Sequence, residues 1–173
     1  MLPSKDEATG LWLSEATHFI EVFDKHDVVI DLVSPKGGDV PLDPKSLGAV
    51  LDKSTKAYFE SAEFMGTLKN TMTPEQVDAE SYDAIYFTGG HGTMFDFPDN
   101  ASLLQISRAI YDKGGIVSAV CHGVGALLNI KHSDGTPWIS GKKLTGFANI
   151  EEKMAKQEEG RLITGQNPQS AKR

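Results

Sequence analysis

At 173 residues, with 39% hydrophobic and 24% charged, the chain has the composition of a globular protein and the length of one domain. Its formal net charge of −7 and pI near 5.2, with lysines and arginines scattered among acids, exclude the basic surface that nucleic acid requires and point to small molecules or proteins as partners. A single cysteine excludes a disulfide framework and a cysteine-rich zinc site; no apolar run reaches a membrane span, and the N-terminus lacks the basic start and apolar stretch of a signal peptide, so a cytoplasmic protein without membrane contact is expected.

Ser4 and Glu7 have capping-box spacing, and Trp12, Ala16, Phe19, Ile20 and Phe23 recur at helical intervals, which predicts an amphipathic helix from about residue 8 to residue 25. The β-branched run from Val28 to Ser34 ends at Pro35 and a Gly37-Gly38 turn and reads as a buried strand. Residues 39 to 53 look irregular, and residues 54 to 68 (Tyr58, Phe59, Ala62, Met65) form a second helix candidate. Thr73-Pro74-Glu75-Gln76 carries a cap, a first-turn proline and a glutamine three residues after the cap, the marks of a short helical turn. A strand from Ala84 to Thr88 breaks into Gly89-Gly90-His91-Gly92. A helix from Asn100 to Lys113 stops at Gly114-Gly115, and the apolar run to Val120 follows. Leu144 to Phe147 and Leu162 to Gly165 are two further short strand candidates. Strands alternating with helices imply a largely parallel sheet covered on both faces, with ligands bound outside the carboxyl ends of the strands.

Cys121 stands at such an end. Free cysteines usually behave as small buried hydrophobes. Here Ala119 and Gly123 provide small neighbours two residues either side, as a strand-to-helix elbow that presents a nucleophile requires. The helix N-terminus and His122 would both lower the thiol pKa. Sequence leaves open whether the His122 ring turns toward the sulfur, whereas its backbone N–H is a natural oxyanion donor. Gly89, Gly90 and His91 form a loop whose backbone can approach a ligand closely, a candidate oxyanion and substrate-binding element; it is not the dinucleotide fingerprint. Glu15, with Trp12 and Phe19 as its helix neighbours, lies on or beside an apolar stripe where desolvation raises a carboxyl pKa; the alternative is a side chain bent out to water. His18 follows one turn on, without the spacing or third ligand of a metal site. His26, His132 and the acid pairs Glu151-Glu152 and Glu158-Glu159 read as solvated.

Thr9-Gly10-Leu11-Trp12-Leu13-Ser14-Glu15, Ser34-Pro35-Lys36-Gly37-Gly38, Tyr86 to Thr93, Ala119-Val120-Cys121-His122-Gly123 and Thr164-Gly165-Gln166-Asn167-Pro168 stand in the order seen in the DJ-1/PfpI superfamily, and the chain most resembles its Hsp31-like branch. The resemblance implies one domain over residues 1–173, with a flavodoxin-like three-layer α/β sandwich of the class I glutamine amidotransferase type and a mainly parallel central sheet. It implies a homodimer and a triad-like site in which Glu15 matches the family glutamate, Cys121 its nucleophile and His122 its histidine; from the residues themselves no cofactor or metal is expected. Activities associated with the branch are glutathione-independent glyoxalase, deglycase, holdase chaperoning of unfolded clients, and amidase or peptidase. Two departures stand out. The family begins with a central strand before the Glu15 helix and carries several tens of residues between Gln157 and Gly160, and this sequence shows neither, so the native protein is expected to be longer.

The reading favoured is an enzyme acting on small 2-oxoaldehydes such as methylglyoxal through Cys121, with Glu15 as first choice of proton carrier and the amides of Gly90 and His122 as oxyanion donors. The alternatives are a cysteine amidase or peptidase, and a holdase or redox sensor in which Cys121 is oxidised beside Glu15.

Overall fold

The pleat of two short runs sets the layers in the computed structural model, which describes residues 8–154. Strands β1 (Ala84–Phe87) and β2 (Ile116–Ala119) pair in parallel, with Ala84 opposite Ile116 and Phe87 opposite Ala119. Because side chains alternate along a strand, Ile85 and Phe87 point to one face and Tyr86 to the other. On the first face they pack with Leu103, Val124, Leu127, Ile130 and Trp138. On the second, the Tyr86 ring stacks on Phe19 at 4.0 Å, and its hydroxyl donates to the Glu15 carbonyl at 3.1 Å. Phe19 belongs to helix α1 (Leu13–Phe23) and Leu103 to a helix on the opposite side, so the parallel pair lies between helical layers.

Helix α1 starts later than its apolar periodicity suggests, because the chain before it is engaged elsewhere. The Leu11 amide donates to Pro41 O at 2.8 Å and the Trp12 amide to Gly89 O at 3.1 Å, which holds residues 11 and 12 extended. Ser4 and Glu7 lie outside the described residues. Leu11, Leu13 and Ala16 bury against Phe64 and Leu68, forming a second core. The helix expected over 54–68 is two helices, α2 (Lys53–Glu60) and α3 (Ala62–Leu68), since Ser61 leaves helical geometry and its hydroxyl accepts the Phe64 amide as a new cap. The Thr73–Gln76 turn forms with its capping box.

The strand expected from Val28 to Ser34 does not form. Its backbone meets the rest of the protein on one side only: Met72 N donates to Leu32 O, Ser34 N donates to Met72 O, and Val33 makes a single bridge with Met72. No strand lies along its other side among the described residues, and Val29 is 87% exposed. Leu144 to Phe147 is irregular rather than a strand, and Leu162 to Gly165 lies outside the described residues.

The crossover from β1 to β2 runs through α4 (Thr93–Asp96) and α5 (Ala101–Asp112), whose N-cap Asn100 accepts the Leu103 amide and whose exit is Gly114 at φ +89°. Both strands therefore end at one edge of the sheet, where the site is built. Past Cys121 the chain winds as a 3-10 turn to Leu127, tighter than the α-helix expected, because Gly123 and Gly125 disfavour the α-helix and lie hard against their neighbours. A last helix, α6, spans Asn149–Met154. Among the described residues no helix is long and apolar enough to cross a membrane.

Leu13 has no exposed surface. Leu13→Ala is expected to cost about 2–5 kcal/mol of unfolding free energy, lost burial plus the void left behind. Urea unfolding measures it; a loss under about 1 kcal/mol would mean that the second core collapses into the gap.

Candidate active site

Cys121 adopts φ +54°, the only non-glycine residue with positive φ among those described. A left-handed backbone at a residue other than glycine costs about 1–3 kcal/mol and persists only where its surroundings impose it. Here they do. Val120 N donates to Phe87 O at 3.0 Å and Gly123 N to Val120 O at 2.8 Å, closing the turn. A Cβ on Gly123 would stand 2.5 Å from both the Phe87 and Thr88 carbonyl oxygens, so only glycine lets the chain turn under the end of β1. The half-buried thiol is met by the amides of His122 and Gly90, which donate to the sulfur.

The glycine loop after β1 serves a second close approach. A Cβ on Gly90, at φ +102°, would stand 2.0 Å from Gly10 O, and one on Gly89 would meet both the Cys121 Cβ and Glu15 Oε2 at 2.7 Å. Gly89 N donates to Glu15 Oε2 at 2.5 Å, so that amide orients the carboxyl and is not free to hold an oxyanion. Glu15 also accepts a hydrogen bond from Cys121. Burial raises its pKa, the direction expected from its place on the apolar stripe, against smaller lowering by the Cys121 and Gly89 hydrogen bonds.

The thiol pKa moves opposite to the sequence expectation. Burial, then the charge of Glu15 and the hydrogen bond to it, push Cys121 up to about 12, and the amides of His122 and Gly90 offset only part of this. A carboxylate in contact with the sulfur outweighs the dipole of one 3-10 turn, because it carries a whole charge. At neutral pH the thiol keeps its proton until a base takes it.

An imidazole stands beside the thiol. The buried His122 ring turns back on its neighbour, with Nδ1 3.3 Å from Cys121 Sγ, and Nε2 lies 2.5 Å from Glu152 Oε1. A carboxylate only accepts, so Nε2 carries the hydrogen and Nδ1 turns its lone pair to the thiol. Burial, and the nearby His91, lower the His122 pKa against the pull of Glu152, which keeps the ring neutral and able to accept a proton. Glu152 corrects the reading of 151–152 as solvated. Glu151 is exposed and accepts the Ala148 amide at the start of α6, while Glu152 turns inward. His91 Nε2 lies 3.0 Å from the other Glu152 oxygen, and its ring packs 4.1 Å from that of His122, with Phe147 against both. His91, His122 and Glu152 are the one group among the described residues whose donor atoms lie close enough to share a metal ion. His18 is instead paired with Asp52 at 2.8 Å. His26 and His132 are exposed, as expected.

The DJ-1/PfpI family model matches residues 8–172. Glyoxalase 3 of Candida albicans is 34% identical, over 97% of this chain and 87% of that protein. The glutathione-independent glyoxalase HSP31 of Saccharomyces cerevisiae is 35% identical over 83% of this chain, which spans 62% of that protein. Among solved structures, Rapid Encystment Protein 24 kDa of Francisella tularensis superposes with a TM-score of 0.88 at 40% identity, covering 92% of this chain and 71% of that one. Glyoxalase III of Candida albicans superposes with a TM-score of 0.77 at 39% identity, covering 84% and 62%. The fold is the flavodoxin-like α/β sandwich with a parallel sheet.

Glu15→Gln removes the charge that helps hold the thiol proton. The thiol pKa is expected to fall, and alkylation by iodoacetamide at neutral pH to quicken about tenfold, in proportion to the thiolate present. An unchanged alkylation rate would uncouple Glu15 from Cys121.

Proposed function

The chain belongs to the DJ-1/PfpI family, and on that footing we propose that it is a glutathione-independent glyoxalase of the Hsp31-like branch, converting methylglyoxal or a similar 2-oxoaldehyde to the hydroxy acid. The observation that carries the reading is a single thiol held between two proton carriers, Glu15 on one side and His122 on the other. The yeast relatives, glyoxalases by name, supply the substrate class.

As sulfur adds to the aldehyde carbon, the thiol hydrogen turns from Glu15 to His122 Nδ1, and the amides of Gly90 and His122 pass from the sulfur to the oxygen that becomes negative. Glu152 steadies the imidazolium formed. Glu15, oriented by Gly89, removes the hydrogen from the carbon now bonded to sulfur and returns it to the neighbouring carbon through an enediol, while the imidazolium passes the former thiol proton to the oxygen of that neighbouring carbon, which becomes the hydroxyl and leaves His122 neutral. That internal transfer oxidises one carbon and reduces the other, leaving a thioester of the hydroxy acid on Cys121. Water, deprotonated by His122, cleaves the thioester and restores the thiol. The protein's cysteine takes the place that glutathione would fill as the adding thiol, so neither glutathione nor a cofactor enters the scheme. His91 belongs to the binding loop in this reading and holds Glu152 from its far side.

Cys121, His122 and Glu152 also have the arrangement of an acyl-transfer triad, which is the observation favouring an amidase or peptidase as second reading. The proposal includes a homodimer and a cytoplasmic location, both carried from the family resemblance.

Lactate formation from methylglyoxal without glutathione tests the assignment. Wild type is expected to turn over, and Cys121→Ala and Glu15→Gln to lose turnover. Glu152→Gln is expected to lower kcat by about 10²–10⁴-fold with the thiol still present. Turnover surviving Cys121→Ala would end the scheme, and turnover of amides but not aldehydes would favour the second reading.

A further inference from the structure

We propose that His91, His122 and Glu152 form a zinc site, and that Zn²⁺ held there switches off the chemistry of Cys121. The inhibition rests on the proposed role of His122 as the base for the thiol; the binding does not.

Three donors from three separate parts of the chain converge. His91 comes from the loop after β1, His122 from the elbow and Glu152 from α6. Each histidine directs Nε2 at a different oxygen of the same carboxylate, at 3.0 and 2.5 Å, and all the donor atoms lie within 4.8 Å of one another. Tetrahedral zinc with ligand bonds of about 2.0–2.2 Å keeps its donors about 3.3 Å apart. The cluster therefore needs only a modest rearrangement of side chains to admit the ion in place of its two shared hydrogens. Two imidazoles and one carboxylate are a donor set zinc favours, with a fourth position left open. The rings are already fixed. His91 and His122 pack 4.1 Å apart, and Phe147 lies 4.5 Å from His122 and 5.9 Å from His91. The exposure of the three side chains is 12%, 3% and 13%, so little water competes for the ion.

The consequence for the thiol follows from the tautomer. In the metal-free protein the hydrogen of His122 sits on Nε2, toward Glu152, and the lone pair of Nδ1 faces sulfur. Zinc on Nε2 requires the lone pair there, so the neutral ring must carry its hydrogen on Nδ1. No proton is gained or lost by the ring. The position that receives the thiol proton is filled, and the ring can no longer serve as base for the thiol or for the water that cleaves the thioester. Cys121 itself is not a ligand, so its sulfur stays open to reagents while turnover stops.

Zinc affinity is measured by competition with a chromogenic chelator, on metal-free wild type and on His91→Ala, His91→Asn, Glu152→Gln and His18→Ala, each checked by circular dichroism. One Zn²⁺ per wild-type chain is expected, with affinity at least tenfold weaker in the His91 and Glu152 variants and unchanged in His18→Ala. Zinc is expected to abolish methylglyoxal turnover reversibly on chelation, and to leave Cys121 reactive toward iodoacetamide. Equal affinity across all variants, or turnover unchanged with zinc bound, would overturn the proposal. If metal-free enzyme fails to turn over methylglyoxal, the glyoxalase reading falls while the chelator competition still decides the site.

Discussion

The site depends on one backbone constraint, the left-handed turn at Cys121 at the end of β2. Val120 and Gly123 fix it, the first by donating to the Phe87 carbonyl and the second by lying against the carbonyls of Phe87 and Thr88. The parallel pairing of β1 and β2 makes this possible, since it ends both strands at the same edge. Once the elbow sits there, Gly89 and Gly90 must pass within contact of Cys121 and Gly10, and any side chain at either position would drive the layers apart. The same approach lets Gly89 N reach Glu15, so the helix that carries the carboxyl is tied to the loop that carries the amides.

Within that frame the electrostatics are a balance and not simple activation. Burial and a neighbouring carboxylate hold the thiol proton on sulfur, against two amides that favour the thiolate. Glu15 is shifted in the same direction by its own burial. A resting thiol with a neutral imidazole beside it is protected from indiscriminate oxidation, because the thiolate is the reactive form. In the proposed chemistry the proton leaves when a substrate carbonyl can take up the negative charge next to the Gly90 and His122 amides. Glu152 keeps the ring in the tautomer whose Nδ1 lone pair faces the sulfur.

Several of these features were legible in the residues. The small-Cys-His-Gly run at a strand end gives an elbow because sterics there allow little else, and Glu15 beside Trp12 and Phe19 is half-buried because helical spacing puts it there. Three things were not legible. Glu152 sits in a short helix beside an exposed acid, and its inward turn depends on where the chain after Trp138 folds back, which no local pattern encodes. The run from Val28 to Ser34 has strand composition, yet ladder formation depends on neighbours, and among the described residues it has them on one side. The thiol pKa depends on a contact between residues 15 and 121, far apart in sequence and in direct competition with the local dipole.

If the proposed chemistry holds, the sulfur of Cys121 becomes covalently joined to the aldehyde carbon during turnover. Mass spectrometry of the enzyme quenched in acid while it consumes methylglyoxal tests this most directly. One substrate-derived acyl group is expected on the peptide containing Cys121, released to lactate on longer incubation. Steady lactate production with that peptide unmodified, or with the adduct on another side chain, would contradict it.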